Sequence, residues 1–135
     1  MFWKRRKAKP AATTPVDELA ELRKAIDGLI YPSESDAPFD VFRWDDKGGG
    51  SAKAQVIAHT GAADEPVEEM SLDAFFAPLA GATDAARFSQ LRRALESTLS
   101  APAVIRVGER KIDIYLIGRT RSGAWAGVHT TSVET

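Results

Sequence analysis

The sequence predicts an α+β fold, a single domain in which helices are layered on both faces of a mostly antiparallel or mixed five-stranded sheet. Apolar residues recur at helical spacing in three segments, and after Pro102 the period changes to the alternation of strands. With 135 residues, 44% of them hydrophobic, the chain can bury one substantial core. The predicted order of elements is α-β-β-α-α-β-β-β, a layered α/β/α sandwich.

The first 13 residues are predicted to be a disordered basic arm, and residues 14–135 the folded domain. Five of the first nine residues are basic, but no apolar run of signal-peptide length follows them. No later segment is long and apolar enough to be a membrane span. We therefore expect a soluble, cytoplasmic protein whose arm is a solvated tail. Contact of the arm with nucleic acid or anionic lipid is the alternative.

The first helix is predicted from its start signals and from one apolar stripe. Thr14 is a suitable N-cap, Pro15 suits the first helical position, and two acidic residues follow near the helix N-terminus. Gly28 lies near the predicted end, where glycine readily takes the left-handed conformation of a cap. The stripe is predicted to consist of Leu19, Leu22, Ala25, Ile26 and Leu29.

A β-hairpin is predicted next. Residues Phe39 to Trp44 are rich in aromatic and β-branched side chains, which favour a strand. The glycine-rich run Asp45 to Ser51 is interpreted as a flexible connection, because it lacks the spacing of a phosphate-binding loop. Ala54 to His59 is predicted to be the returning strand, and residues 60–70 an irregular acidic connection.

Two helices and three strands are predicted to follow. Ser71 caps a short helix, and a longer amphipathic helix begins near Asp84. Three consecutive strands are then predicted over residues 104–107, 111–119 and 123–131. The middle strand has one apolar face and one mixed face, so we expect helices on both sides of the sheet. The inward side chains of the helices are predicted to be Leu72, Phe75, Phe76, Leu79, Phe88, Leu91, Leu95 and Leu99.

The inventory of catalytic residues is poor. There are no cysteines, which excludes disulfides, thiol nucleophiles and thiolate metal sites, and there are only two histidines. His59 and His129 both fall in predicted strands, and we expect them to be structural or exposed rather than metal ligands. The remaining basis for a small enzyme is a carboxylate pair among Glu34, Asp36 and Asp40, above all Glu34 with Asp36. Such acid/base pairs usually come from separate elements that line a cleft.

The loop Ser33-Glu34-Ser35-Asp36 is the main candidate for a binding site, because it places charged and hydroxyl side chains between a helix and a strand, in a segment bracketed by Pro32 and Pro38. Short serine side chains can bond to local amides and hold the turn, which leaves Glu34 free to point outward. The alternative is an ordinary Ser/Asp turn. The end of the chain is the second candidate, since a strand runs almost to Thr135 and its hydroxyl.

Two long segments resemble the nuclease A inhibitor family. Leu22 to Trp44, LRKAIDGLIYPSESDAPFDVFRW, resembles the start of its members, and Gly108 to Thr135, GERKIDIYLIGRTRSGAWAGVHTTSVET, resembles their end. With the helix FSQLRRALESTLSAP before the second segment, the resemblance covers roughly residues 17–44 and 86–135. The basic arm and residues 47–85 do not share it.

The resemblance implies a binding role rather than an enzyme. Members of the family dock on a non-specific DNA/RNA endonuclease of the ββα-metal kind, and their terminal Thr reaches its catalytic magnesium. By position, Thr135 matches that residue and Glu34 matches the family's loop Glu, with Ser33, Ser35 and Asp36 as their neighbours. Mg²⁺ prefers oxygen ligands and keeps exchangeable waters. An extension beyond Thr135 is expected to abolish this contact.

The expected function is inhibition of such a nuclease by a one-to-one complex that covers its cleft. The protein is expected to bind no metal or cofactor alone, since the magnesium is the target's, and to contact neither nucleic acid nor a membrane. Five of the 18 basic residues lie in the arm, so 13 remain against 19 acidic ones, and this acidic body would complement a cleft built for polyanions. The runner-up is a non-catalytic interaction module of the same fold with a different partner, in which Glu34 and Thr135 have no special role.

Overall fold

Helices and strands are interspersed along the chain, and a 3₁₀ turn follows the third helix. The computed structural model describes residues 18–33, 36–45, 50–62 and 64–134. The helices are α1 (Ala20–Ile26), α2 (Ala52–Thr60), α3 (Leu72–Phe76) and α4 (Ala85–Thr98), with the 3₁₀ turn at Ala77–Gly81. The strands are β1 (Ile30–Tyr31), β2 (Ala37–Pro38), β3 (Asp40–Trp44), β4 (Val67–Met70), β5 (Ser100–Val107), β6 (Lys111–Arg119) and β7 (Trp125–Val133).

The predicted arm and helix start, residues 1–15, lie outside the part of the chain that the structure describes. The helix itself is present as α1, and Gly28 after it takes the predicted left-handed conformation with φ 72°. Arg87 of α4 holds the end of α1, because its guanidinium donates to the carbonyl oxygens of Ala25 (3.1 Å) and Asp27 (2.7 Å). The buried residues of the predicted stripe are Leu19, Leu22, Ala25 and Leu29.

The central sheet has five strands within the described residues, in the order β3-β7-β6-β5-β4, and every neighbouring pair is antiparallel. Lys111 of β6 lies opposite Val133 of β7, so these two strands pair to the end of β7. β1 and β2 form a separate ladder, with Ile30 opposite Pro38. The prediction of an α+β fold with a mostly antiparallel five-stranded sheet is confirmed.

The predicted returning strand, Ala54 to His59, is wrong, because these residues lie in α2. The Oγ of Ser51 caps this helix by accepting a hydrogen bond from the N–H of Ala54 (3.1 Å), and Gly61 ends it in the left-handed conformation with φ 69°. Alanine, lysine and glutamine are good helix formers, so caps at both ends favour a helix over a strand in this short run. The fifth strand is β4, which lies in the segment predicted to be irregular and pairs with β5.

Helices cover both faces of the sheet, as predicted. On one face, α1, α3 and α4 bury the larger core against alternate residues of the strands, including Val104 and Leu116. On the other face, α2 places Val56 against Ile105 and Ile117. Fully burying one such aliphatic side chain stabilises the fold by about 1.5–3 kcal/mol relative to exposing it. In the described part of the chain, no helix has the length and apolar character needed to cross a membrane.

Candidate functional site

The predicted binding loop is the tip of a hairpin. Two short strands, β1 and β2, pair on either side of it, where a plain connection from helix to strand was expected. Ser33 is half-buried and Asp36 is exposed. The other predicted site residues, Glu34, Ser35 and Thr135, lie outside the described residues.

Asp36 holds the turn of this hairpin closed. Its Oδ1 accepts a hydrogen bond from the backbone N–H of Ser33, with 3.2 Å between the two atoms. A short polar side chain that bonds to nearby backbone in this way stabilises a turn. The Ser33 hydroxyl, for which bonds to local amides are predicted, contacts a residue 100 positions further along the chain.

The hairpin lies along the last residues of β7. The N–H of Val133 donates to the Oγ of Ser33 (3.4 Å), and the Thr130 hydroxyl donates to the carbonyl oxygen of Pro38 (3.0 Å). β3 pairs with β7 only as far as His129. Beyond that residue, the hairpin occupies the flank of β7 that β3 leaves open. The start of the candidate loop and the end of β7 are therefore neighbours.

A second set of contacts holds Glu134, the residue after β7. Its N–H donates to the carbonyl oxygen of Arg110 (2.8 Å), and its Oε2 accepts from Arg106 (2.5 Å) and from the Ser132 hydroxyl (3.1 Å). Arg106 also lies 3.7 Å from the carboxylate of Glu68 on β4. The sequence analysis missed this cluster. The signal that could have found it is a single arginine within an apolar strand, since a half-buried charge needs a partner.

Tyr31 of β1 connects the hairpin with this cluster. Its ring stacks on Phe75 with 5.5 Å between centroids and meets Phe39 edge-on at 6.2 Å. Burial raises the pKa of the Tyr31 phenol, the charge of Arg106 lowers it and that of Glu134 raises it, and the net effect is an increase. The phenol is therefore neutral at physiological pH and lies within the field of the Arg106–Glu134 pair.

An open groove of ≈ 450 Å³ borders the hairpin. Ile30, Pro32 and Asp36 line it from the hairpin side, and residues 81–84 with Phe88 line it from the side of α4. Ile30 is 39% exposed, which is unusual for a large apolar side chain among the described residues. The lining of this groove is mixed, because apolar side chains such as Ile30 and Phe88 lie beside the carboxylates of Asp36 and Asp84.

The two histidines are not brought together as a metal site. His59 lies on α2 rather than on a strand and stacks on Trp44, with 4.2 Å between ring centroids. His129 lies in β7 as predicted, but it has a carboxylate partner that was not expected, because its Nε2 is 2.9 Å from Oδ1 of Asp113. Tyr115 packs against the same ring at 4.8 Å. Within the described ranges, no group of three or more His, Asp or Glu side chains is placed to hold a metal.

Comparison with protein families gives a match over most of the chain. A family model described as nuclease A inhibitor-like protein matches residues 17–135. The chain belongs to the nuclease A inhibitor family. The match includes residues 47–85, where the resemblance seen directly in the sequence is poor, and it begins at residue 17, after the basic arm. A sequence search of the curated proteins found no match.

Membership in the nuclease A inhibitor family favours a binding protein over an enzyme. The candidate loop lies between two short paired strands, and its first residue bonds to the end of β7. Of the carboxylate pair on which a small enzyme could be built, Glu34 lies outside the described residues. The other member, Asp36, accepts a hydrogen bond from its own turn.

Proposed function

We propose that this protein is a non-enzymatic inhibitor of a non-specific, metal-dependent DNA/RNA endonuclease of the ββα-metal kind. It binds its target one-to-one and covers the active-site cleft with the hairpin tip and the end of β7. The hydrogen bond between the Val133 N–H and Ser33 Oγ carries this proposal, because it joins the loop that contains Glu34 to the strand that leads to Thr135. Membership in the family supports the inhibitory role.

Covalent geometry supports a joint role of Glu34 and Thr135. Consecutive Cα atoms are about 3.8 Å apart in any trans chain. Glu34 directly follows Ser33, and Thr135 comes two residues after Val133, so each Cα lies within about 8 Å of that of its hydrogen-bonded neighbour. Two oxygen-bearing residues that follow so soon after one hydrogen bond between their segments suit one small target, such as a single metal centre.

The two side chains are proposed to reach the catalytic Mg²⁺ of the nuclease. Mg²⁺ takes oxygen ligands and usually keeps several waters, which a carboxylate or a hydroxyl from a partner can replace. The metal belongs to the target enzyme, and this chain contributes Glu34 and Thr135 to it across the interface. The inhibitor alone is proposed to need no metal and no cofactor.

Ser33, Ser35 and Asp36 are proposed to present Glu34 to the nuclease. Asp36 bonds to the N–H of Ser33 and Ser33 bonds to β7, so the residues on either side of Glu34 and Ser35 are anchored and have less freedom to lose when a complex forms. A preorganised loop binds more tightly for this reason. Ser35 follows Glu34 in the chain, and we assign it a hydroxyl contact with the target.

An inhibition titration tests the proposal. Immobilised protein captures non-specific nuclease activity from an extract of the cells that make it, and the purified nuclease is then titrated with wild-type protein, Glu34→Ala and a variant that lacks Thr135. Wild-type protein is expected to stop DNA cleavage at one equivalent. Each variant is expected to weaken inhibition by about 1–4 kcal/mol, as truncation of an interface hot spot does.

Two further variants serve as controls. Glu21→Ala changes an exposed glutamate on α1, near the end of the molecule where Glu18 contacts Ser122, and it should inhibit as the wild type does. Thr135→Ser keeps the hydroxyl and should retain most of the inhibition. A nuclease that stays fully active in micromolar excess of wild-type protein would refute the proposal for that target. Inhibition that is equally strong in all variants would instead show that Glu34 and Thr135 have no special role in the contact with the nuclease.

A further inference from the structure

Arg106 lies on β5 but reaches the end of β7, across the intervening strand β6. Its Nη2 is 2.5 Å from Oε2 of Glu134, and the Ser132 hydroxyl donates to the same oxygen at 3.1 Å. One carboxylate oxygen is therefore held by two donors, one of them charged. Charge-assisted hydrogen bonds of this kind are shorter and stronger than neutral ones.

The guanidinium of Arg106 is also anchored on its other side. Its Nη1 lies 3.7 Å from Oε1 of Glu68, so Arg106 bridges β4 and β7, two strands that are not neighbours in the sheet. The side chain is only 23% exposed, and partly buried pairs are screened by salt less than exposed ones. The charges of Arg106 and Glu134 both act on the pKa of Tyr31, which lies at the base of the hairpin. The cluster therefore links β4 and β5 to the residue that follows β7.

We propose that Arg106 is a positioning residue for the nuclease contact of Thr135, because by holding Glu134 it sets the direction in which the chain leaves β7. This inference rests on the proposed function. Terminal residues are usually poorly ordered unless they are tied down. Here the residue before Thr135 is tied down twice, through its backbone bond to Arg110 and through its side-chain bonds to Arg106 and Ser132.

The consequence is a lower entropy cost when Thr135 enters the nuclease site. Ordering one flexible residue at an interface weakens binding by about 3- to 10-fold. Changes at one interface act mainly on the dissociation rate, so that is where the loss should be seen. An ion pair that only braces the sheet would lower thermal stability without affecting Thr135.

Three variants separate these roles. Arg106→Met removes the guanidinium and keeps an unbranched apolar side chain. Glu134→Gln removes the negative charge of an exposed side chain and keeps its length. Arg92→Met is the matched control, since Arg92 pairs with Asp73 and Glu96 at the contact of α3 and α4. In the free protein, the ¹⁵N heteronuclear NOE of the Thr135 amide should fall in the first two variants and stay unchanged in the control.

In the complex with the nuclease, Arg106→Met should dissociate about 3- to 10-fold faster than wild type. This loss should vanish in a background that lacks Thr135. A Thr135 NOE that Arg106→Met leaves unchanged, or equal losses with and without Thr135, would overturn the inference. If Arg106→Met does not fold, the same two measurements on Glu134→Gln test the inference.

The failure of this inference is distinguishable from the failure of the proposed function. If wild-type protein inhibits no nuclease, the proposed function fails, and the NOE comparison in the free protein still decides whether Arg106 orders Thr135. If wild-type protein inhibits and the Arg106 and Glu134 variants behave like Arg92→Met, the inference alone fails.

Discussion

At the scale of single residues, Ser33 connects segments that are 100 positions apart. Its hydroxyl accepts from the Val133 N–H at 3.4 Å, which is long for a hydrogen bond, so we expect Ser33→Ala to lower the free energy of unfolding by only about 0.5–1 kcal/mol. The loss in binding free energy to the nuclease should exceed that value, because the hairpin is then held less firmly beside β7. Chemical denaturation and an inhibition titration measure the two quantities. Ser89→Ala on α4 is the control, and identical inhibition by both variants would contradict the role of Ser33.

The types of residue at the site could be predicted from the sequence, but their partners could not. A loop made of serines and acids stands out in any sequence as a turn with exposed oxygens. The contacts of Ser33 with Val133 and of Arg106 with Glu134 depend on how β7 lies against the hairpin and the sheet. No periodicity or spacing in the chain encodes such contacts.

Glu18 gives the protein a pH-dependent contribution to stability at the opposite end of β7. Its Oε2 accepts hydrogen bonds from Arg43 (2.5 Å) and Ser122 (2.8 Å). Burial raises the pKa of this carboxyl, but the hydrogen bond from Ser122 and the charge of Arg43 together outweigh burial and lower the pKa below its ordinary value of 4.5. A carboxyl with a lowered pKa stabilises the folded state above the pKa of the unfolded chain, and this stabilisation is lost as the pH falls through the folded pKa.

We therefore expect wild-type protein to be more stable than Glu18→Gln at about pH 7, and this advantage to disappear as the pH falls below 4.5 and through the lowered pKa of Glu18. The advantage should be under about 1 kcal/mol, because the ion pair is partly exposed. Ser122→Ala should lose a part of it. Chemical denaturation across this pH range measures the difference, and an advantage that is constant down to the lowest pH would contradict the assignment.

At the scale of elements, the helices and strands with long and clear patterns could be predicted. The alternation over β6 and the stripe of α4 are examples, and both are present. The error at α2 has a physical reason, since a run of nine residues offers too few positions to separate the helical period from the strand period. The caps at Ser51 and Gly61 favour a helix in this run. The glycine-rich segment before it is typical of a hairpin connection, and for that reason a strand was predicted.

The cap of α2 provides a direct test of this element. Ser51→Ala removes the acceptor for the Ala54 N–H and should lower the free energy of unfolding by about 1 kcal/mol. Ser51→Asp keeps an acceptor and should be nearly neutral. Ser71→Ala removes the equivalent bond to Ala74 at the start of α3, so thermal and chemical denaturation should give similar losses for the two alanine variants. A neutral Ser51→Ala beside a destabilising Ser71→Ala would indicate that α2 contributes little to the fold.

At the scale of the whole molecule, the layering could be predicted because the middle strand of the sheet is apolar on one face and mixed on the other. The structure has a larger core under three helices and a smaller one under α2. The small hairpin beside β7 could not be predicted, since its strands have two residues each and no alternation to detect. The element that presents the candidate site is thus the one with the weakest signal in the sequence.

For the molecule as a whole, we propose that Glu34 and Thr135 act together on one nuclease site. A double-mutant cycle on the inhibition constant, with Glu34→Ala, the variant that lacks Thr135 and the combination of both, tests it most directly. We predict that each single change weakens inhibition and that the combined loss differs from the sum of the single losses by about 0.5–3 kcal/mol, because both residues contact the same metal centre. Strictly additive losses, or single variants that inhibit as well as wild type, would contradict it.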